Sequence, residues 1–247
     1  MLRRFVARRM GAMESVRIAM GDFFKFPSTV HLAFLGDRGP REDKCMSGPE
    51  RDAFLAADVI VEEKIDGANL GISFDANGNL FLQNRGSRLV EPLDGQWRPL
   101  KRWIEQREND LFDFAEDRHI LFGEWCYARH SVSYDALPDW FVLFDIYDRV
   151  NERFYSVFRR NEVASQLGLA HVPQVAQGRF SFAQLERLEF VSNFGHETAE
   201  GIYLRRDSRD WLEQRAKLVR PAFRQSIETH WSKRGIQTNS CVGWRYV

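Results

Sequence analysis

Lys64 lies in the stretch Val61-Glu62-Glu63-Lys64-Ile65-Asp66-Gly67, directly after a β-branched run, Val59-Ile60-Val61. A primary amine at a strand end, close to a carboxylate and a glycine, has the parts of a nucleophile beside a bound ligand. Glycine matters there because it lets a ligand approach the backbone closely. Alone, a lysine in such a place is ordinarily a surface residue. Its chemical reading comes from five segments further along the chain: Asn84-Arg85-Gly86-Ser87, Phe122-Gly123-Glu124-Trp125, Leu143-Phe144-Asp145-Ile146-Tyr147, Glu200-Gly201-Ile202 and Arg215-Ala216-Lys217-Leu218. Each segment taken singly has a plain reading. Phe144 is a core aromatic, Glu124 a strand-end acid, and Arg205 and Arg206 solvated cations. Together with Lys64 they supply an amine, three carboxylates, an aromatic face and several cations.

In this order, KxDG, FGE, an aromatic FDI strand, EGI and a basic RxK strand, the series resembles the covalent nucleotidyltransferases. That superfamily contains DNA ligases, RNA ligases and mRNA capping enzymes. The flavour is similar to the nick-sealing branch of the RNA ligases, particularly its small bacterial relatives. The stretch Lys25-Phe26-Pro27-Ser28-Thr29-Val30-His31-Leu32 ahead of the lysine also looks like that branch. The resemblance covers residues 21–224.

The resemblance implies an ATP-dependent polynucleotide ligase that joins RNA through AMP carried on Lys64. AMP then passes to a 5′-phosphate, and a 3′-OH seals the strand. It also implies roles. Lys64 is the nucleophile, Glu63 lies close to the adenine, and Asp66 and Gly67 stand near the ribose or phosphate. Arg85 contacts the phosphate or ribose side, Glu124 holds the ribose hydroxyls, and Phe144 stacks on the adenine. Glu200 helps bind Mg²⁺ or Mn²⁺, ions suited to hard oxygen ligands. Arg215 and Lys217 grip the phosphates. Two positions depart from the pattern. Asp66 is the DNA-ligase form where the nick-sealing branch often has histidine, and Arg215 stands where the family often has lysine, exchanging a point charge for a bidentate fork.

The chemistry sets a requirement on the amine. Only neutral lysine attacks phosphorus, and a lysine near pKa ~10.4 is neutral about once in a few thousand molecules at pH ~7. A fall of ~2–4 units is expected from burial and nearby positive charge. Phosphoryl transfer otherwise needs positioning and charge neutralisation.

Composition narrows the class. The chain has 247 residues, 44% hydrophobic and 28% charged, as in an ordinary globular domain. Lys and Arg number 35, as do Asp and Glu, so the net charge is zero and bulk charge will not coat nucleic acid. The basic character is local. Arg205, Arg206, Arg209, Arg215, Lys217, Arg220 and Arg224 outnumber Asp207, Asp210 and Glu213. Cys45, Cys126 and Cys241 are odd in number and lack metal-ligand spacing, which suits a reducing compartment, read as the cytoplasm. No apolar stretch is long enough to span a membrane. A P-loop is absent, and no GxGxxG follows a strand.

The elements that must position these residues read as strands mixed with helices. A helix is expected from Pro49 through Ala57. Strands are expected over residues 68–75 and 80–85, around Asn77-Gly78-Asn79, then over 119–126 and 140–149. Helical spacing runs over 97–116, and helices are expected at 161–169 and 184–190. Residues 201–206 and 215–220 are short strands, and Pro221 opens a helix to Lys233. Residues 36–50 read as a long loop. The fold class expected is α+β: an ATP-grasp-like nucleotidyltransferase domain of antiparallel sheets flanked by helices, with no OB domain.

Residues 1–20, with four arginines and no acid before Met13, read as a disordered leader outside the fold or as a misplaced start, with Met13 or Met20 the true one. Residues 21–220 form the adenylylation domain and 221–247 a short helical tail. RNA ends or a nicked duplex, RNA paired with DNA included, are the expected partners, with a repair protein able to share the grip. Two other readings stand beside this one: a GTP-using, capping-type nucleotidyltransferase, and a non-catalytic RNA-binding module. His130, in Arg129-His130-Ser131, is read as a hydrogen-bonded loop histidine, and His31 as either structural or lining the nucleotide site.

Overall fold

The computed structural model describes residues 23–35, 44–220 and 236–243. The expected leader and the expected helix from Pro221 to Lys233 lie outside them.

Helix α1 (Gly48–Leu55) starts where Ser47 and Glu50 form a reciprocal capping box, with Pro49 in the first turn. β1 (Val59–Glu63) follows, then β2 (Ala68–Phe74) and β3 (Leu80–Gln83), joined by a turn in which Gly78 has a φ of 79°. The span read as one helix is two, α2 (Leu100–Glu105) and α3 (Glu108–Ala115). β4 (His119–Trp125), β5 (Phe141–Asp148) and the short β6 (Arg153–Phe154) come next. Helix α4 (Val157–Gln166) begins four residues earlier than expected, because the Ser156 side chain caps it. β7 (Ala170–His171) and β8 (Gln174–Gly178) were not legible as strands: they are short or half-exposed. α5 (Phe182–Glu186) is set by a capping box of Ser181 and Gln184, again ahead of the expected start. β9 (Gly201–Asp207) and β10 (Leu212–Val219) complete the order.

The strands make two sheets. One has the order β10-β9-β1-β8, and the other β3-β2-β4-β5-β6 with β7 beside β5. Every pairing is antiparallel except that of β7 with β5. The α+β expectation of antiparallel sheets flanked by helices is met. Among the described residues the strands form no further barrel.

Each sheet buries one face against helices. Trp103, Ile104, Leu111 and Ala115 of α2 and α3 pack with Leu70, Ile72, Leu121 and Trp125 of the second sheet. Phe54, Leu55 and Leu185 of α1 and α5 pack with Val59, Val61, Ile202, Leu204, Ala216 and Leu218 of the first.

Where the sheets meet, the contact is charged. Arg160 of α4 donates to both Glu62 oxygens at 2.6 and 3.2 Å and to the Phe144 carbonyl at 2.8 Å. Arg205 of β9 reaches Asp145 of β5 at 2.6 Å and the Tyr155 carbonyl at 2.8 Å, and Arg215 of β10 takes the other Asp145 oxygen at 2.5 Å. Glu62, Asp145, Arg160 and Arg205 are all buried. Charges this deep persist only with full partners, so the cluster fixes how the sheets sit on each other.

Two glycines permit close strand approach. A Cβ at Gly201 would lie 2.3 Å from the Leu218 carbonyl oxygen, and one at Gly123 would lie 2.3 Å from the Phe141 ring. Gly201→Ala should therefore part β9 from β10. The expected loss is about 2–3 kcal/mol, read as a lowered urea midpoint at constant slope. Arg160→Met should cost about 3–5 kcal/mol by stranding Glu62, whereas Arg160→Met with Glu62→Leu should recover most of it. A double variant as unstable as the single would refute this account of the cluster.

Candidate active site

β1 ends at Glu63, so Lys64 is the first residue beyond the strand, where the chain must turn toward β2. Its amide donates to the Gly201 carbonyl at 3.0 Å, which anchors the turn on β9. Gly67 allows the return: a Cβ there would stand 3.0 Å from the Trp125 carbonyl oxygen. Glu200 immediately precedes β9 and meets Lys64 from the neighbouring strand, and the Lys64 ammonium and Glu200 carboxylate form a direct ion pair.

These groups line a cavity of about 400 Å³ between the sheets. Of the residues singled out in the sequence, Glu63, Lys64, Gly67, Arg85, Glu124, Phe144, Glu200 and Lys217 line it. Asp66 and Arg215 are not among its lining residues. The Asp66 carboxylate faces away, accepting from the Ser131 and Val132 amides at 2.6 and 3.1 Å. The Arg215 guanidinium is engaged by Asp145 and lies 4.5 Å from the ring centres of Phe26 and Phe154. Glu63 is also committed, accepting from Ser192 Oγ at 2.5 Å, the Asn193 amide at 2.9 Å and Asn193 Nδ2 at 2.8 Å. Its carboxylate braces the strand end that carries Lys64.

Sequence reading did not single out Asn69, which stands opposite Glu124 across β2 and β4 and lines the cavity. Asn69 Oδ1 and Glu124 Oε2 are buried atoms with no hydrogen-bond partner in the protein. Two adjacent, unsatisfied acceptors suit a ligand that brings hydroxyl donors. The available signal was alternation: Asn69, Gly71 and Ser73 interleave with the apolar Leu70, Ile72 and Phe74. Asp145, Arg205, Thr29 and Tyr203 also line the cavity, the last two hydrogen-bonded to each other. Asp145, Thr29 and Arg205 lie in segments the sequence marked, but their place at the cavity was not legible because their partners are remote in the chain, and Arg205, read as solvated, is buried. His31 lines the cavity too, its backbone bridging to Lys217 and Cys45. His130 makes the expected loop contact, 3.2 Å from Gln96 Oε1.

The electrostatics are those of an ammonium among acids. Burial opposes charge on Lys64, but Glu200, Glu124 and Asp66 outweigh it, and the amine is held above its ordinary range. Burial pushes Glu124 well above the usual carboxylate range, although Lys64 opposes that shift. The lowering of the amine expected from the sequence is not found, because the carboxylates around it act in the opposite direction. Phe144 is half-buried and presents a ring to the cavity, packed edge-on by Phe26 with centroids 5.3 Å apart. Arg85 sits exposed on the rim, 3.2 Å from Ser28 Oγ. Among the described residues no group of three or more His, Cys, Asp or Glu forms a metal cage, and no helix is long and apolar enough to cross a membrane.

Comparison with known structures places this architecture. The Naegleria gruberi RNA ligase with PPi is similar over 70% of this chain and 52% of its own, at 19% identity and a TM-score of 0.56. A variant of that ligase with ATP and Mn covers 74% of this chain and 54% of its own, at 17% identity and a TM-score of 0.56. Another, with AMP and Mn, gives 18% identity and a TM-score of 0.54 over 74% and 54%. The chain thus spans about half the length of these solved ligases. No curated protein matches it in sequence. The RNA ligase family matches residues 57–219, from just before β1 to the end of β10, and so takes in both sheets and every cavity-lining residue except those of the 26–31 strap. That match spans about two thirds of the sequence, and the chain belongs to the RNA ligase family.

Proposed function

We propose that this chain joins RNA ends with ATP, in the manner of the nick-sealing branch, through AMP carried covalently on Lys64. The observation that carries the reading is the placement of the half-buried Lys64 amine in a nucleotide-sized cavity with Glu124, Phe144, Glu200 and Lys217. Its two unsatisfied acceptors, Asn69 Oδ1 and Glu124 Oε2, match the hydroxyls of a ribose. The Phe144 ring offers the adenine a face. Lys217 provides phosphate charge and Arg85 a cation at the rim. Residues 21–220 constitute the adenylylation domain, with 1–20 a leader and 221–247 a tail.

The first step forms a bond between Lys64 Nζ and the α-phosphorus and breaks the bond to pyrophosphate, which leaves with the electron pair. The amine must first lose a proton, and Glu200 is the carboxylate in contact with it. Glu200 is the oxygen donor that would help hold Mg²⁺ or Mn²⁺, which would supply positive charge against the polyphosphate and against the ammonium. A cation held partly by phosphates needs no cage of three protein ligands. Asp66 and Arg215 act on the site through neighbours, Asp66 by fixing the turn after Lys64 and Arg215 by fixing Asp145. The AMP then moves to a 5′-phosphate, and a 3′-OH displaces it to close the strand. The substrate is an RNA end or a nick, opposite RNA or DNA, with repair partners able to share its binding, and the work is cytoplasmic.

Protein incubated with ATP and Mg²⁺ or Mn²⁺ should gain the mass of one adenylyl group, and Lys64→Ala should gain none. No gain in the parent protein, or a gain only with GTP, defeats the reading. Phe144→Ala should raise KM for ATP about tenfold while still forming the adduct. The rate of adduct formation should climb about tenfold per unit between about pH 6 and about pH 8, because the raised amine is almost wholly protonated there. A flat profile would mean that deprotonation of Lys64 does not limit the step.

A further inference from the structure

The wall behind the Lys64 turn is a stretch, residues 126–137, with neither helix nor strand. It nevertheless holds the turn at three points. The Ser131 and Val132 amides donate to Asp66 Oδ2, and the Tyr134 hydroxyl accepts from the Asp66 amide at 2.7 Å. A segment without ladder hydrogen bonds needs external support to position anything finely.

That support comes partly from residues 194–197, where the Phe194 carbonyl accepts from the Asp135 and Ala136 amides and Glu197 from the Ser133 amide, and partly from residues 237–242, more than a hundred positions on. Asn239 is buried, and its side chain satisfies three backbone groups of the stretch. Oδ1 accepts from the Tyr134 amide at 3.0 Å, and Nδ2 donates to the Cys126 and Ala128 carbonyls at 2.8 and 3.3 Å. The main chain reinforces this. The Arg129 amide donates to the Gln237 carbonyl at 2.8 Å, and Asn239 donates to Tyr127 at 3.0 Å. Ser240 donates to Tyr134 at 2.9 Å, and Val242 to Leu137 at 2.9 Å. The side chain is chemically specific. Aspartate would turn an oxygen toward two carbonyls, and an apolar residue would strand one buried donor and two acceptors. Tyr134 is the shared link: its backbone is gripped by Asn239 and Ser240, and its hydroxyl grips Asp66.

We propose that residues 237–242 form a clasp in which Asn239 is a positioning residue for adenylylation. It acts through Tyr134 and Asp66 to set the Lys64 turn for attack. The inference rests on the lysyl-AMP reading of the site. Its consequence is that a residue outside the matched family segment governs the rate of the first chemical step. The clasp touches Asp66 through the loop and does not line the nucleotide cavity, so the effect falls on the reacting geometry more than on ATP affinity.

The test compares adduct formation from ATP and Mn²⁺ in the full chain and in Asn239→Ala, Tyr134→Phe and the two combined. Leu185→Ala, in the other sheet's core, controls for lost stability. Asn239→Ala should slow adduct formation at saturating ATP by about tenfold or more, with KM for ATP changed less than about threefold, as small misplacements at a reacting centre do. Leu185→Ala should keep the parent rate at temperatures where both variants are folded. The combined variant should be no slower than the slower single one, because both changes break the same path. If Asn239→Ala does not accumulate as folded protein, Asn239→Ser carries the same comparison. A folded Asn239 variant with the parent rate, or fully multiplicative effects in the combined variant, overturns the clasp. Absence of adduct in the parent chain instead overturns the reading it rests on.

Discussion

The two sheets meet on buried charge, and the cavity exists because of it. Asp145 stands between Arg205 and Arg215, one oxygen to each, and Glu62 takes both nitrogens of Arg160. An apolar interface of similar volume would hold the layers as firmly, but it is non-directional and tolerates sliding. A carboxylate shared by two guanidiniums tolerates little, since a small shift would leave a buried charge short of a partner. The Phe144 carbonyl accepts from both Arg160 and Arg205, so the residue that shows its ring to the cavity is pinned by its backbone to the same cluster. Separation of the layers, and with it the shape of the site, comes from satisfying these groups.

The same logic at the cavity floor gives a different result. Lys64 faces more acid than base, and the ammonium wins. Glu124 carries an oxygen without a protein partner, and its carboxyl is pushed up by burial. The cluster beneath is closely paired, only Arg205 Nε and the nearby Asp207 Oδ1 lacking hydrogen bonds, whereas the floor sets two unsatisfied acceptors in the lining of the cavity. Unsatisfied buried acceptors in the lining of a cavity are what a site reserved for a ligand offers. The charge state that stabilises the resting amine is also the one that cannot attack phosphorus, so a ligand that brings positive charge changes reactivity as well as occupancy.

Much of this was legible in the sequence, for physical reasons. The ordered short motifs place their polar side chains at strand ends, and strands are read from β-branched and aromatic runs such as Val59-Ile60-Val61 and Phe141-Val142-Leu143. The α+β class and the convergence of Lys64, Glu124, Phe144, Glu200 and Lys217 come from that. What stayed hidden depends on partners distant in the chain. Arg215 and Lys217 share one face of β10, and nothing local tells that Asp145 waits opposite the first and Glu200 near the second. Asp66 was read beside Lys64, but β1 ends before it, and the turn sends its carboxylate to Ser131. Helix starts were misplaced at Ser156 and Ser181 because the capping serines, though visible, compete with weak local periodicity. Asn239 looked like tail; only its buried contacts give it meaning.

The irregularities in the ladders fall where the site is. β1 shifts register against β8 between Val61 and Glu62, just before Glu63 and Lys64. β4 shifts against β5 between Phe122 and Gly123, just before Glu124. A regular strand sends alternate side chains to opposite faces, so adjacent residues cannot both serve one cavity. The extra residue in each shift lies on the partner strand, Val175 of β8 and Phe144 of β5, and the second bulge lets the adjacent Phe144 and Asp145 both line the cavity. Glu62 and Glu63 also border the cavity, but their carboxylates are held by Arg160 and by Ser192 and Asn193, and Lys64 lies just beyond the strand. The glycine of FGE then becomes a steric need rather than a family habit. Beside the bulge β4 lies so close to Phe141 and Val142 that only a residue without a Cβ fits.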